Sequence, residues 1–341
     1  MALAPCLVYQ DSSMSFRPLR PQACSSLAKR TPVKAAPSST KGPLEVSPSI
    51  SPKASQKQSV VAKTWRVAGS LLFLAVLPAT VQAQFEFATN NCAITITKYT
   101  GPGGAVVVPS ETNGLPVTAI GTNAFELCFS MASVAIPNSI TNIGASAVEG
   151  SLLTSVTIPD SVSGMGSNAF GSSYYLQSVT IGTNLGSIES YTFQFCPNLI
   201  SVTLGSGVTN IGDYAFWSCR GLRGITISDN VTTIGDSAFR SCASLANITI
   251  GTNVTSIGDL TFYECSSLLR LTIPSGTISV GDYAFSSCSG LTNVAIGTNV
   301  ATIGISAFDW CTSLSGVASQ TTLPALDRAR FLSAPVLATL Q

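Results

Sequence analysis

One phenylalanine returns at a constant step along most of the chain: Phe170, Phe193, Phe216, Phe239, Phe262, Phe285 and Phe308. Phe125 opens the column and Val148 fills its second place, and the step from Val148 to Phe170 is one position shorter than the others. Cysteines keep the same step at Cys196, Cys219, Cys242, Cys265, Cys288 and Cys311. Ahead of each phenylalanine stands Ile-Gly or a relative, such as Ile211-Gly212, Ile234-Gly235, Ile257-Gly258 and Val280-Gly281. A step of this length is the mark of a stacked array, in which no single unit buries enough apolar surface to offset the ordering of its own backbone. Neighbouring units must supply the rest of the core and each other's hydrogen bonds.

The unit reads L-x-x-V-T-I-P-x-S-V-T-x-I-G-D-x-A-F-x-x-C-x-x. Leu153, Val156 and Ile158 alternate with polar Ser155 and Thr157, the two-residue period of a half-buried strand. Turns follow at Pro159-Asp160-Ser161, Gly182-Thr183-Asn184 and Gly251-Thr252-Asn253, rich in residues that favour turn geometry. A second short extended segment leads to the glycine. Asp-x-Ala-Phe-x-x-Cys then reads as one helical turn with Ala, Phe and Cys on one side. The expected fold is a repeat solenoid, mostly parallel β with short helical turns, of about nine coils. Residues 84–118 are read as its N-terminal cap, 119–318 as the solenoid and 319–341 as a degenerate last coil or C-terminal cap. In the cap, Ala93–Thr97 and Ala105–Val108 are expected as opening strands. In the last segment Leu323, Leu326, Phe331 and Ala334 fall one full repeat beyond Val300, Ile303, Phe308 and Cys311.

This pattern resembles the BspA-type leucine-rich repeat family, with its L-x-x-V-x-I-P…I-G-x-x-A-F-x-x-C unit, over residues 94–318. The resemblance implies a leucine-rich-repeat-like solenoid in a secreted or surface protein that adheres to other proteins or host surfaces.

The N-terminal part is of another kind. Residues 1–83 carry ten Lys/Arg against two Asp/Glu, whereas residues 84–341 carry seven against fourteen. Residues 1–59 are rich in Pro, Ser, Ala and basic residues with no hydrophobic period, and are read as a disordered basic leader or the product of a misassigned start. Residues 60–83 have the parts of an export signal: Lys63-Thr64-Trp65-Arg66, an apolar run from Val67 to Leu77, and small residues at Val81-Gln82-Ala83. Cleavage is expected after Ala83, and the run is too short for an ordinary membrane-spanning helix. A plastid-type transit peptide is the rival reading of the leader. The expected location is secreted, cell-surface or periplasmic, with no stable membrane span after cleavage.

Three columns invite chemistry. The cysteines of an exported chain suggest disulfides or a metal, but no close C-x-x-C pair is present and the neighbours are Phe and Leu columns, so they are read as small buried hydrophobes. Asp213, Asp236, Asp259 and Asp282 would suit calcium, yet Thr122, Ala145, Ser167 and Ser190 continue the column upstream. A cap on the following helical turn accounts for Asp, Ser and Thr alike. Thr157, Thr180, Thr203, Thr226, Thr249 and Thr272 form a flat outward row, read as a solvent-facing strand surface in preference to an ice-binding one.

The candidate ligand-binding residues are the aromatics Phe195, Trp217, Tyr263 and Trp310, which stand one or two places after the buried phenylalanine. The expected contact area is the side formed by the parallel strands. The chain has no histidine and 10% charged residues, so histidine-based triads and metal sites are excluded. No catalytic residues, cofactor or metal are expected. The functional expectation is a non-catalytic, monomeric exported protein that binds an extracellular protein or glycan, and the alternative is a spacer without a specific ligand. The acidic balance of residues 84–341 argues against nucleic acid.

Overall fold

The structure, a computed structural model, describes residues 84–319 with the exception of 91 and 127. The leader, the export signal and residues 320–341 of the last-coil segment lie outside the described residues. The chain opens with β1 (Phe85–Asn90), which pairs antiparallel with β2 (Ala93–Tyr99). β3 (Gly104–Val107) then pairs in parallel with Met131–Ala135. β2 and β3 do not pair with each other. They begin the two faces of the solenoid.

On the first face ten strands follow one another from β3 to Gly316–Ser319, so the described residues hold about ten turns, one more than the repeat count predicts. Within it Ser155–Ile158, Ser178–Ile181 and Ser201–Thr203 pair in parallel, Val156 opposite Val179 and Val179 opposite Val202. The valines and isoleucines point inward and the threonines outward, as the period of two requires. The second face is a ladder of two-residue strands, among them Asn210–Ile211, Thr233–Ile234 and Ser256–Ile257. The repeated sequence places the same residue in each coil, so equal side chains stack and the register is fixed.

The third side is where the sequence expectation fails. Asp-x-Ala-Phe-x-x-Cys forms no helix. Its backbone N–H groups alternate in allegiance. Those of Trp217 and Cys219 donate within the coil, to the carbonyls of Tyr214 (3.1 Å) and Phe216 (3.2 Å). Those of Tyr214, Phe216 and Ser218 donate to Asp236, Ala238 and Arg240 of the next coil, at 2.8–2.9 Å. An α-helix would have spent these donors inside the segment. Left-handed residues also interrupt it twice per coil, as at Tyr214 (φ 56°) and Ser218 (φ 58°).

The core is a set of columns. Phe170, Phe193, Phe216, Phe239, Phe262, Phe285 and Phe308 stack with centroids 5.2–5.7 Å apart and planes within 14° of parallel. At the N-terminal end Phe125 meets Tyr99 and Phe85 instead. The Ile-Gly column exists because coils approach closely there: a Cβ on Gly258 would lie 2.7 Å from the Gly235 carbonyl carbon. The one short step is absorbed at a single corner. Ser151 still stands a full repeat after Cys128, whereas Met165 pairs with Ile143, one position short of a full repeat. Leu153 likewise falls one position short of a full repeat after Met131. The missing residue is therefore lost between Ser151 and Leu153, outside both sheets.

Candidate functional site: an aromatic cluster on the stacked turns

The third side carries the only ring cluster among the described residues that faces solvent. Trp217 is half-buried, with the Phe195 ring of the preceding coil 4.5 Å away, tilted by 48°. Tyr214, in the same coil as Trp217, meets it edge-on at 5.4 Å and 64°. Tyr191 stacks on Tyr214 at 5.0 Å and 9°. Phe195 and Tyr191 are more than one-third exposed.

The local backbone explains the outward aim. Tyr191, Phe195 and Tyr214 have φ of 63°, 51° and 56°. The equivalent positions elsewhere hold mostly small polar residues, such as Asn123, Ser146, Asn168 and Ser237 in the tyrosine column and Ser172, Ser218 and Ser241 in the phenylalanine one, with Leu260, Tyr283, Glu264 and Trp310 as the large residues that share the same backbone. Bulky residues are disfavoured in this conformation, whereas Asn tolerates it best. Three large rings in two consecutive coils therefore occupy a conformation that disfavours bulky residues, and they stack on one another or on Trp217 there.

Phe195 and Trp217 thus come together, and they meet two residues that sequence reasoning missed. Tyr191 and Tyr214 stand one repeat apart in a column otherwise held largely by Asn and Ser, the signal that would have found them. Tyr263 lies two coils beyond Trp217 in the same column, with the Arg240 guanidinium 5.2 Å from its ring centroid. Arg240 holds the intervening place in that column, and its Nε is buried with no hydrogen-bond partner among the described residues. Trp310 is 59% exposed and stands four coils from Trp217, apart from the cluster. None of these residues lies on the strand face, whose outward row from Thr157 to Thr272 is exposed and small.

The aspartate column does not cap its own turn. Asp213 Oδ1 accepts from the backbone N–H of Asp236 at 2.9 Å, Asp236 from Asp259 at 2.8 Å, and Asp259 from Asp282 at 2.7 Å. Asp282 accepts from Ile305 at 2.6 Å. With no helix to cap, each carboxylate serves the equivalent N–H one coil ahead.

The six column cysteines are fully buried free thiols. Cys219, Cys242, Cys265, Cys288 and Cys311 donate from Sγ to the phenylalanine carbonyl of the preceding coil at 3.1–3.3 Å, and Cys196 does so at 3.5 Å. Burial pushes the thiols of Cys196, Cys242 and Cys311 up to about 12 and those of Cys219, Cys265 and Cys288 well above their ordinary value. Thiols held protonated in this way are poor nucleophiles and poor metal ligands. No group of His, Cys, Asp and Glu among the described residues is placed to hold a metal ion.

The family model described as a BspA type leucine rich repeat region, in six copies, matches residues 118–246 and 209–337. Among solved structures the chain is similar to the leucine rich repeat protein of T. pallidum, with 27% identity over 68% of this chain and 88% of that one and a TM-score of 0.42. It is also similar to a leucine rich cell surface protein from Faecalibacterium prausnitzii A2-165, with 24% identity, 70% and 93% coverage and a TM-score of 0.34. The pneumococcal vaccine antigen PcpA shares 15% identity over 75% and 93%, with a TM-score of 0.35. No curated protein sequence matches. With matches that together span residues 118–337, a leucine-rich pattern and a parallel solenoid of regularly repeated turns, the chain belongs to the BspA-type leucine-rich repeat family.

Proposed function

We propose that the protein is an exported, non-catalytic binding protein whose contact surface is the stacked-turn side. The observation that carries this reading is the solvent-facing cluster of Tyr191, Phe195, Tyr214 and Trp217, with three of its rings at left-handed backbone positions. Large aromatics in one patch are the residues that dominate binding energy at protein surfaces, and they also contact sugars. The strand side, first expected to make the contact, offers exposed Thr, Ser and Asn with Arg270 among them and no aromatic anchor. Export rests on the apolar run from Val67 to Leu77 and the small residues before Gln84.

The reading is tested by screening the secreted protein against extracellular proteins and glycans. Saturable binding that is lost in Trp217→Ala and retained in Trp310→Ala is expected. Binding indifferent to Trp217, or none to any ligand, overturns it and leaves the spacer role.

A further inference from the structure

The charges around the aromatic cluster are sorted by side. Among the described residues there are five cationic side chains: Arg220 and Arg223 lie in the coil of Trp217, Arg240 holds the Trp217 column one coil on, Arg270 lies on the strand face and Lys98 near the N-terminal end. Along the coil that carries Trp217 the surface runs from Asp213 through Tyr214 and Trp217 to Arg220 and Arg223, while Ala215, Phe216, Cys219 and Leu222 point inward. Asp236, Asp259 and Asp282 extend the acidic edge along the solenoid, each in hydrogen-bond register with the last. The cluster is thus bordered by a row of carboxylates on one side and by guanidinium groups on the other.

The rings themselves limit what they can hold. Tyr191 and Tyr214 lie face to face, and Tyr214 stands edge-on to Trp217. Part of these ring faces is therefore already taken up by neighbouring rings. Sugar stacking needs open ring faces, whereas Tyr, Trp and Arg side by side, at the centre of a patch with a charged rim, form the composition of a protein–protein hot spot. Opposite charges on the two rims fix the orientation in which a partner docks and raise its rate of encounter.

We infer that the cluster takes a protein segment with an apolar anchor, carrying carboxylates on the side that meets Arg220 and Arg223 and cations on the side that meets Asp213 and Asp236. This rests on the binding role proposed above and names its partner class.

The test pans a random dodecapeptide display library on the immobilised full chain and probes the same protein on a glycan array. Enriched peptides are expected to share an apolar residue flanked by Asp or Glu on one side and Lys or Arg on the other. Their affinity, read by fluorescence anisotropy, should fall at least tenfold in Trp217→Ala and in the double variant Arg220→Glu, Arg223→Glu. The double variant alters exposed side chains only, so its fold is expected to survive, and a peptide with its acids changed to lysines should regain binding to it. Enriched peptides without that polarity, or with undiminished affinity for the double variant, overturn the inference. Glycan binding that depends on Trp217, without peptide enrichment, overturns the inference and upholds the binding role. No ligand in either format overturns both.

Discussion

The thiol of Cys242 donates to the main-chain carbonyl of Phe216, 3.2 Å away in the preceding coil. That carbonyl also accepts the N–H of Cys219 in its own coil. One oxygen therefore ties two coils together beside the stacked rings, and the residue that reaches it must be small and able to donate. Cysteine meets both needs. Cys242→Ala should cost about 1–3 kcal/mol through the lost bond and the space left behind. Cys242→Ser should cost less, because serine can donate from the same place; Ser151 and Ser173 already occupy this column. Denaturant midpoints of the two variants check the order, and a serine variant no better than alanine would show that the thiol bond contributes nothing.

Alkaline pH should unfold the protein through the same column. Burial raises the folded thiols of Cys196, Cys242 and Cys311 to about 12, from an ordinary value of 9.0 that the unfolded chain recovers. Above that ordinary value the unfolded state sheds protons that the folded state keeps. The thiols' contribution is therefore full below about pH 9 and drains away as the pH climbs toward the folded values. A melting temperature flat up to pH 8 and falling steeply above pH 9 is expected, with a shallower fall in Cys242→Ala. Alkylation at pH 8 should be slow in the native protein and rapid in denaturant.

Calcium should leave the protein's stability unchanged. One oxygen of each carboxylate in the aspartate column is already engaged by a backbone N–H of the next coil. Removing that acceptor in Asp259→Ala is expected to cost about 0.5–2 kcal/mol, by analogy with other side-chain caps, and Asp259→Asn, which keeps an oxygen there, less. A calcium-dependent rise in the melting temperature of the wild type, absent from Asp259→Asn, would contradict this.

Gly258→Ala should destabilise the protein although it adds a single methyl group. The new Cβ would sit 2.5 Å from Asp236 Oδ1 and 2.8 Å from the Asp236 backbone nitrogen. The backbone atom cannot swing aside as a flexible side chain would, so two coils must separate, at about 1–3 kcal/mol. Gly186, with no atom within 4 Å of its would-be Cβ, is the control, and Gly186→Ala should be close to neutral. Equal thermal shifts for the two would refute the close-approach account.

The strands from Ser155–Ile158 onward were legible in the sequence because the alternation within each coil and the repeat between coils point to the same residues. The turn side was not. Ala215, Phe216 and Cys219 are spaced as a helical stripe would be, and nothing local distinguishes that stripe from a series of turns whose acceptors lie in the next coil. The aspartates were misread for the same reason: their capping chemistry was right in kind, and its recipient was one coil ahead. Tyr191 and Tyr214 escaped notice because they precede the phenylalanine, where the consensus admits any residue. The Asn and Ser that fill most of that column were the available hint, and the left-handed backbone at these places explains them.

The corner between Ser151 and Leu153 shows where this solenoid has slack. A residue was dropped there, and the ladders on both faces resumed register within the same coil. The equivalent corners after Cys219, Cys242 and Cys265 lie outside both sheets and hold the next coil by one backbone bond each, to the carbonyls of Arg220, Ala243 and Ser266, so a loop grafted there would forfeit a single bond between coils while the columns beneath keep count.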